Sequence, residues 1–131
     1  MREIKFKAVI KATNEVFPVT TIWSNSVCLD LTDSEYEYDS KVFNNDEVFL
    51  LQYTGVNDKN SQEIYEGYIV SQKIHGPDPL EYGAFDGVVT MLEGQWVIDN
   101  EIDYCIPLWS EINENEVVGN IYKNPKLKEE K

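Results

Sequence analysis

Polar and apolar residues alternate with period two at the start of the chain. In REIKFKAVI, Ile4, Phe6, Ala8 and Ile10 fall on one side and Glu3, Lys5 and Lys7 on the other, the pattern of a strand with one wet face. KATNE is a turn by composition, and VFPVTTIW is a second β-rich run, so the two runs predict an N-terminal hairpin. Pro18 suits an edge strand or a strand start, because proline cannot donate to a central ladder. Between Ser24 and Asn45 the pattern weakens. SVCLDL suits a short strand, whereas TDSEYEYDSKVFNND has no helical stripe and much charge. Residues 24–45 are therefore expected to form an irregular, solvated insertion, with Tyr36 and Tyr38 either partly exposed or folded over the core.

EVFLLQYT is a continuous apolar run of strand length, which predicts a strand covered on both faces. GVNDKNSQ is a loop by composition, and EIYEGYIV returns to β character, with Gly67 marking a bulge or bend inside it. After the loop HGPDPLEYG, AFDGVVTMLEGQWVID holds the clearest hairpin, turning at Glu93-Gly94. Pro107 bars a long helix in DYCIPLWSEI, EVVGNIY is a last strand, and Asn124-Pro125 is placed to open a short C-terminal helical turn. Short strands, close turns and no βαβ rhythm predict an all-β, mainly β chain built as a small barrel or roll.

Charge narrows the partners. The 131 residues carry 11 Lys and Arg against 24 Asp and Glu, a net charge of −13. Such a field repels phosphate backbones and anionic lipid heads, so nucleic acid and membrane surfaces are not the expected partners. The acids concentrate locally: Asp30, Asp33, Glu35, Glu37, Asp39, Asp46 and Glu47 are opposed only by Lys41, and they form the candidate interaction surface. MREIKFK is followed by no apolar signal-peptide core, and no apolar run approaches a membrane span. Cys28 and Cys105 lie far apart in no paired spacing, which points to two reduced, buried thiols in a cytoplasmic protein.

Three segments, MREIKFK, LQYTGVNDKNSQEIYEGYIV and EVVGNIYKNPKL, together resemble the YopX family of phage and prophage proteins, and they bracket nearly the whole chain. The resemblance implies an SH3-like small β-barrel preceded by an N-terminal β-hairpin unit. It divides the chain into residues 1–50, holding the insertion 24–45, and a barrel at 51–131 whose first strand is EIYEGYIV. It also implies the cytoplasm of a bacterial host and brings no catalytic residues. The chain departs from the family pattern, which has an aspartate at Tyr68, a glycine at Ser61 and a Trp-Asp pair at Val9 and Ile10. A left-handed turn at Ser61 would be costlier than at glycine.

Candidate chemistry is sparse. Asp58, Asn60 and Gln62 fit no calcium-loop register: with Asp58 at position 1, Glu63 falls where glycine belongs and Ile69 where the bidentate glutamate belongs. A loop that stabilises its own turn with Asp and Asn side chains is the better reading. His75 is the lone histidine and sits in a Gly-Pro loop, so triad chemistry and a zinc site have no support. Neither Glu35 and Glu37 nor Asp99, Glu101 and Asp103 stand out as an acid pair, and no phosphate-binding glycine loop occurs. Trp23, Trp96 and Trp109 could stack a ligand or nucleobase, but one in each of three β-type segments favours core packing. The expectations are therefore no enzyme activity, no cofactor and no metal, and a protein-interaction module with another host or phage protein as partner. Two alternatives remain: an acidic DNA mimic that inhibits a nucleic-acid-binding protein, and a nucleic-acid-binding small β-barrel. A homo-oligomer formed through the edge of VFPVTTIW is a further expectation.

Overall fold

The structure, a computed structural model, describes residues 5–74, 83–102, 104–111 and 113–123. The chain divides into two compact units, Met1–Tyr53 and Thr54–Lys131. Strands dominate both, and all the recorded pairings are antiparallel.

In the first unit, β1 (Phe6–Ile10), β2 (Val16–Ile22), β3 (Ser26–Asp30), β4 (Ser40–Asn44) and the start of β5 (Val48–Asn57) lie in the order β4-β3-β2-β1-β5. A 3-10 turn, η1 (Asn45–Glu47), links β4 to β5. Register explains the core. Val19 is opposite Leu29, Val27 opposite Phe43, Ala8 opposite Phe17 and Ile10 opposite Val48. Paired residues share a face of the sheet, so these side chains and Leu31 make one apolar cluster.

The predicted N-terminal hairpin is present as β1–β2. Three expectations for this unit are corrected. First, β2 is an interior strand, not an edge. Pro18 stands where pairing with β1 (16–18) ends and pairing with β3 (19–22) begins, so its missing N–H falls at the handover. Second, residues 24–45 are not an irregular insertion but hold β3 and β4. The polar residues of β4 face solvent, and Phe43 alone turns into the core, which leaves little period-two signal. Third, EVFLLQYT is not covered on both faces. Val48, Leu51 and Tyr53 are buried, but Phe49 and Leu50 are exposed.

In the second unit, β6 (Glu63–Tyr65) pairs with β5, while β7 (Tyr68–Ile74), β8 (Gly83–Leu92), β9 (Gln95–Asp99), β10 (Cys105–Pro107) and β11 (Glu114–Asn120) form a sheet ordered β10-β9-β8-β7-β11. The sheet is open, with β10 and β11 at its edges, and does not close into the expected SH3-like barrel. EIYEGYIV is two strands. The chain turns at Gly67, whose φ is 85°. Its N–H donates to the Val89 carbonyl at 2.9 Å, and its carbonyl accepts from Ile121 N–H at 3.0 Å. The Glu93-Gly94 hairpin forms as read, with both residues at positive φ (51° and 83°), the backbone of a turn matched to strand twist. Tyr68, Val9 and Ile10 are core positions. The C-terminal helical turn expected at Asn124-Pro125 lies outside the described residues.

A buried polar network ties the sheet to its edge segments. Gln72 Nε2 donates to Asn115 Oδ1 at 2.9 Å and to the carbonyls of Pro107 and Leu108, each at 3.2 Å. Asn113 Nδ2 donates to Gln72 Oε1, and Asn115 Nδ2 to the Leu108 carbonyl. Among the described residues, every buried side-chain polar atom thus finds a partner.

The turn after β5 is organised by Asp58. Its Oδ1 accepts from Asn60 and Gln62 N–H, each at 2.9 Å, and its Oδ2 accepts from Val117 N–H on β11 at 3.0 Å. Lys59 N–H adds a bond to the Asn115 carbonyl. The self-stabilising reading of this loop is borne out for the Asp58 side chain. Burial raises the Asp58 pKa, but the N–H groups of Val117, Gln62 and Asn60, with Lys59 nearby, outweigh it and hold the carboxyl below its ordinary value. Ser61 occupies the left-handed region at φ 64°.

Two outcomes follow. Ser61→Gly relieves a conformation costing about 1–2 kcal/mol, partly offset by glycine's chain entropy of about 0.5–1 kcal/mol, so urea unfolding should give a gain of roughly 0.5 kcal/mol. Because the folded pKa of Asp58 is depressed, its contribution is complete above the unfolded aspartate value and lost as pH falls through the folded one. Asp58→Asn should therefore destabilise the chain by about 1–3 kcal/mol at pH 7, and the gap to the wild type should shrink in strongly acidic buffer.

Candidate functional site

The seven candidate acids fall into two groups, one at each end of β4. Asp30, at the end of β3, is paired with Ser40 at the start of β4. Its Oδ1 accepts from Thr32 N–H at 3.0 Å and from Thr32 Oγ at 2.7 Å. These bonds lower its pKa and begin the turn into loop 31–39. Asp33, Glu35, Glu37 and Asp39 lie exposed along that loop. Asp46 and Glu47 lie in η1, beyond the other end of β4. Glu47 also has a structural role, since its Oε1 accepts from Asn44 N–H at 2.9 Å.

The loop is not merely solvated. Leu31 is buried in the core cluster, and the Tyr36 ring meets Phe17 edge-on, with centroids 5.9 Å apart. The Tyr36 hydroxyl donates to Glu15 Oε1 at 2.6 Å, which raises the phenol pKa. Tyr38, two residues on, is 64% exposed. One tyrosine thus anchors the loop and the other is presented to solvent.

Tyr36 also lines a cleft of about 550 Å³, with Ile10, Lys11, Lys41, Phe43 and Glu47 among the other walls. Lys11 Nζ lies 4.7 Å from the Phe49 ring centroid and Lys41 Nζ 5.0 Å from that of Phe43, distances at which a ring face attracts a cation. Sequence reasoning missed this grouping, because it joins the β1–β2 turn, loop 31–39, β4 and η1.

Other candidates are corrected or left in place. The tryptophans are not core residues: Trp23 is 48% and Trp109 63% exposed, and Trp96 is half-buried. Cys28 and Cys105 are free thiols, but half-buried rather than buried. Among the described residues no three His, Cys, Asp or Glu side chains converge as metal ligands. His75 lies outside the described residues, as does Asp103 of the second acid group. No described helix is long and apolar enough to cross a membrane.

The profile described as YopX protein matches residues 5–129. The chain belongs to the YopX family. No curated protein matches this sequence. Among solved structures, the crystal structure of protein EF1440 from Enterococcus faecalis is similar at a TM-score of 0.63 and 18% identity, covering 98% of this chain and 99% of that one. At that identity the likeness concerns the fold. The YopX match spans both units and includes β4 and the acids around it.

The two loop tyrosines should behave differently under limited proteolysis. Tyr36→Ala removes the contacts to Phe17 and Glu15, so cleavage within residues 31–39 should accelerate. Tyr38→Ala removes no recorded contact and should leave the cleavage rate unchanged.

Proposed function

We propose that this YopX-family chain is a non-enzymatic accessory protein of a phage or prophage that binds another protein through its β3–β4 hairpin. The observation that carries this reading is the anchored loop: exposed Asp33, Glu35, Glu37 and Asp39 surround an outward Tyr38. Aromatic side chains give large contact area at low entropic cost and concentrate at binding hot spots. Holding the loop by Tyr36 limits the ordering cost of association. The net charge of −13 favours a partner with a basic face.

Affinity capture of the tagged chain from lysogenic cells, followed by mass spectrometry, tests the reading. The same partner should return in repeated captures, and Glu37→Lys with Tyr38→Ala should reduce its recovery at least tenfold, about 1.4 kcal/mol. Failure of the wild type to retain any reproducible partner removes the proposal.

The same acids support a second reading, imitation of the nucleic-acid backbone toward a basic site. Recovery of the partner should then fall steeply as salt rises and be competed by duplex DNA. Salt-independent recovery removes this reading and leaves the first.

A further inference from the structure

We infer that the free edge of β4 is a strand-addition site for an extended segment of a partner protein with basic residues at both ends. The inference rests on the interaction reading above and specifies its geometry. The direction of the β4 backbone follows from two bonds. Leu31 N–H donates to the Asp39 carbonyl at 2.8 Å, and Asn45 N–H to the Asn25 carbonyl at 3.0 Å. In an antiparallel ladder, hydrogen-bonded pairs recur every second residue. With the β3–β4 register, residues 39, 41, 43 and 45 therefore turn their amides toward β3. Ser40, Val42 and Asn44 turn theirs to the open edge. The Asn44 N–H is taken by Glu47 Oε1. The Asn44 carbonyl opens η1 and accepts that turn's first backbone bond. Among the described residues, both backbone groups of Ser40 and Val42 have no partner.

The other edges are treated differently. β11 is covered by loop 58–62, through Lys59 N–H on the Asn115 carbonyl and Asp58 on Val117 N–H. β6 and β10 have three residues each, and β10 ends in Pro107. Edges are ordinarily covered, shortened or charged, because an unpaired row templates strand addition. β4 keeps five residues. Its one cation does not screen the edge, since Lys41 Nζ folds back over the Phe43 ring. Val42 is 52% exposed and offers an added strand an apolar neighbour.

Charge selects the occupant. Asp39 and the loop acids stand at one end of β4, and Asp46 and Glu47 at the other. An added strand therefore meets carboxylates at both ends and apolar surface between. Main-chain bonds give such recognition its affinity and side chains its specificity. Pairing with a second copy would set these acids against one another.

The probe is a labelled peptide of alternating threonine and valine with two lysines at each end, followed by fluorescence anisotropy and by amide hydrogen exchange of the full chain. The peptide should bind, bind less as salt rises, and slow exchange at Ser40 and Val42. Val42→Pro removes an outward N–H without touching the bonds to β3 and should weaken binding about tenfold. Exchange at Val27, Leu29 and Phe43 reports whether the β3–β4 ladder survives the substitution. Asp39→Lys with Asp46→Lys lies outside the strand and should transfer preference to a peptide ending in glutamates. Three results overturn the inference: no binding of the lysine-ended peptide, unchanged binding by ladder-intact Val42→Pro, or a wild-type dimer that Val42→Pro dissociates. A captured partner that is lost on Glu37→Lys with Tyr38→Ala but kept by Val42→Pro would overturn the edge and leave the interaction module standing.

Discussion

The Asp58 carboxylate holds three backbone N–H groups at once, two in its own turn and one on β11. That interaction fixes the corner after β5 and closes the outer row of β11. A buried carboxylate is costly unless its oxygens are well bonded, and here both are. The same turn places Ser61 at positive φ, a strain tolerated because the Asp58 bonds and Ser61 N–H on the Asp58 carbonyl determine the turn from several sides. With β11 seated, Asn115 reaches Gln72 and the carbonyl of Leu108, so β7, β11 and the segment after β10 are held by polar contacts inside an apolar sheet.

The first unit uses a different economy. Its cluster is purely apolar, with paired residues on adjacent strands supplying it in register. Few cross-links protect its outer strand. β4 contributes Phe43 inward and leaves polar residues and open amides outward. β4 lies at the rim of its sheet, and the acids gather at its two ends.

Much of the strand content was legible. Period-two alternation located β1, the Glu93-Gly94 hairpin was read correctly from a glycine between two apolar runs, and the Asp58 loop was recognised as self-bonded. The readings that failed share a cause. Apolar content suggests burial for Phe49, Leu50, Trp23 and Trp109, yet they are exposed. Polar content suggests irregularity over residues 40–44, although a strand on the rim such as β4 needs only one buried side chain. By itself Pro18 suits an edge strand or a strand start, because a proline is barred from a central ladder, but it lies inside the sheet where pairing changes partner.

The amino-acid order by itself determined the β class, the acidity and the local turns, because alternation, charge and left-handed glycine positions act over a few residues. It also carried the family, since three separated segments keep their order and spacing. Only the tertiary structure decided which strands lie inside a sheet and which at its rim, whether the second sheet closes, and where the acids stand relative to a free edge. Those outcomes depend on pairings between residues far apart in the chain. A strand's sequence records which face is apolar, while its neighbours decide whether its backbone is satisfied.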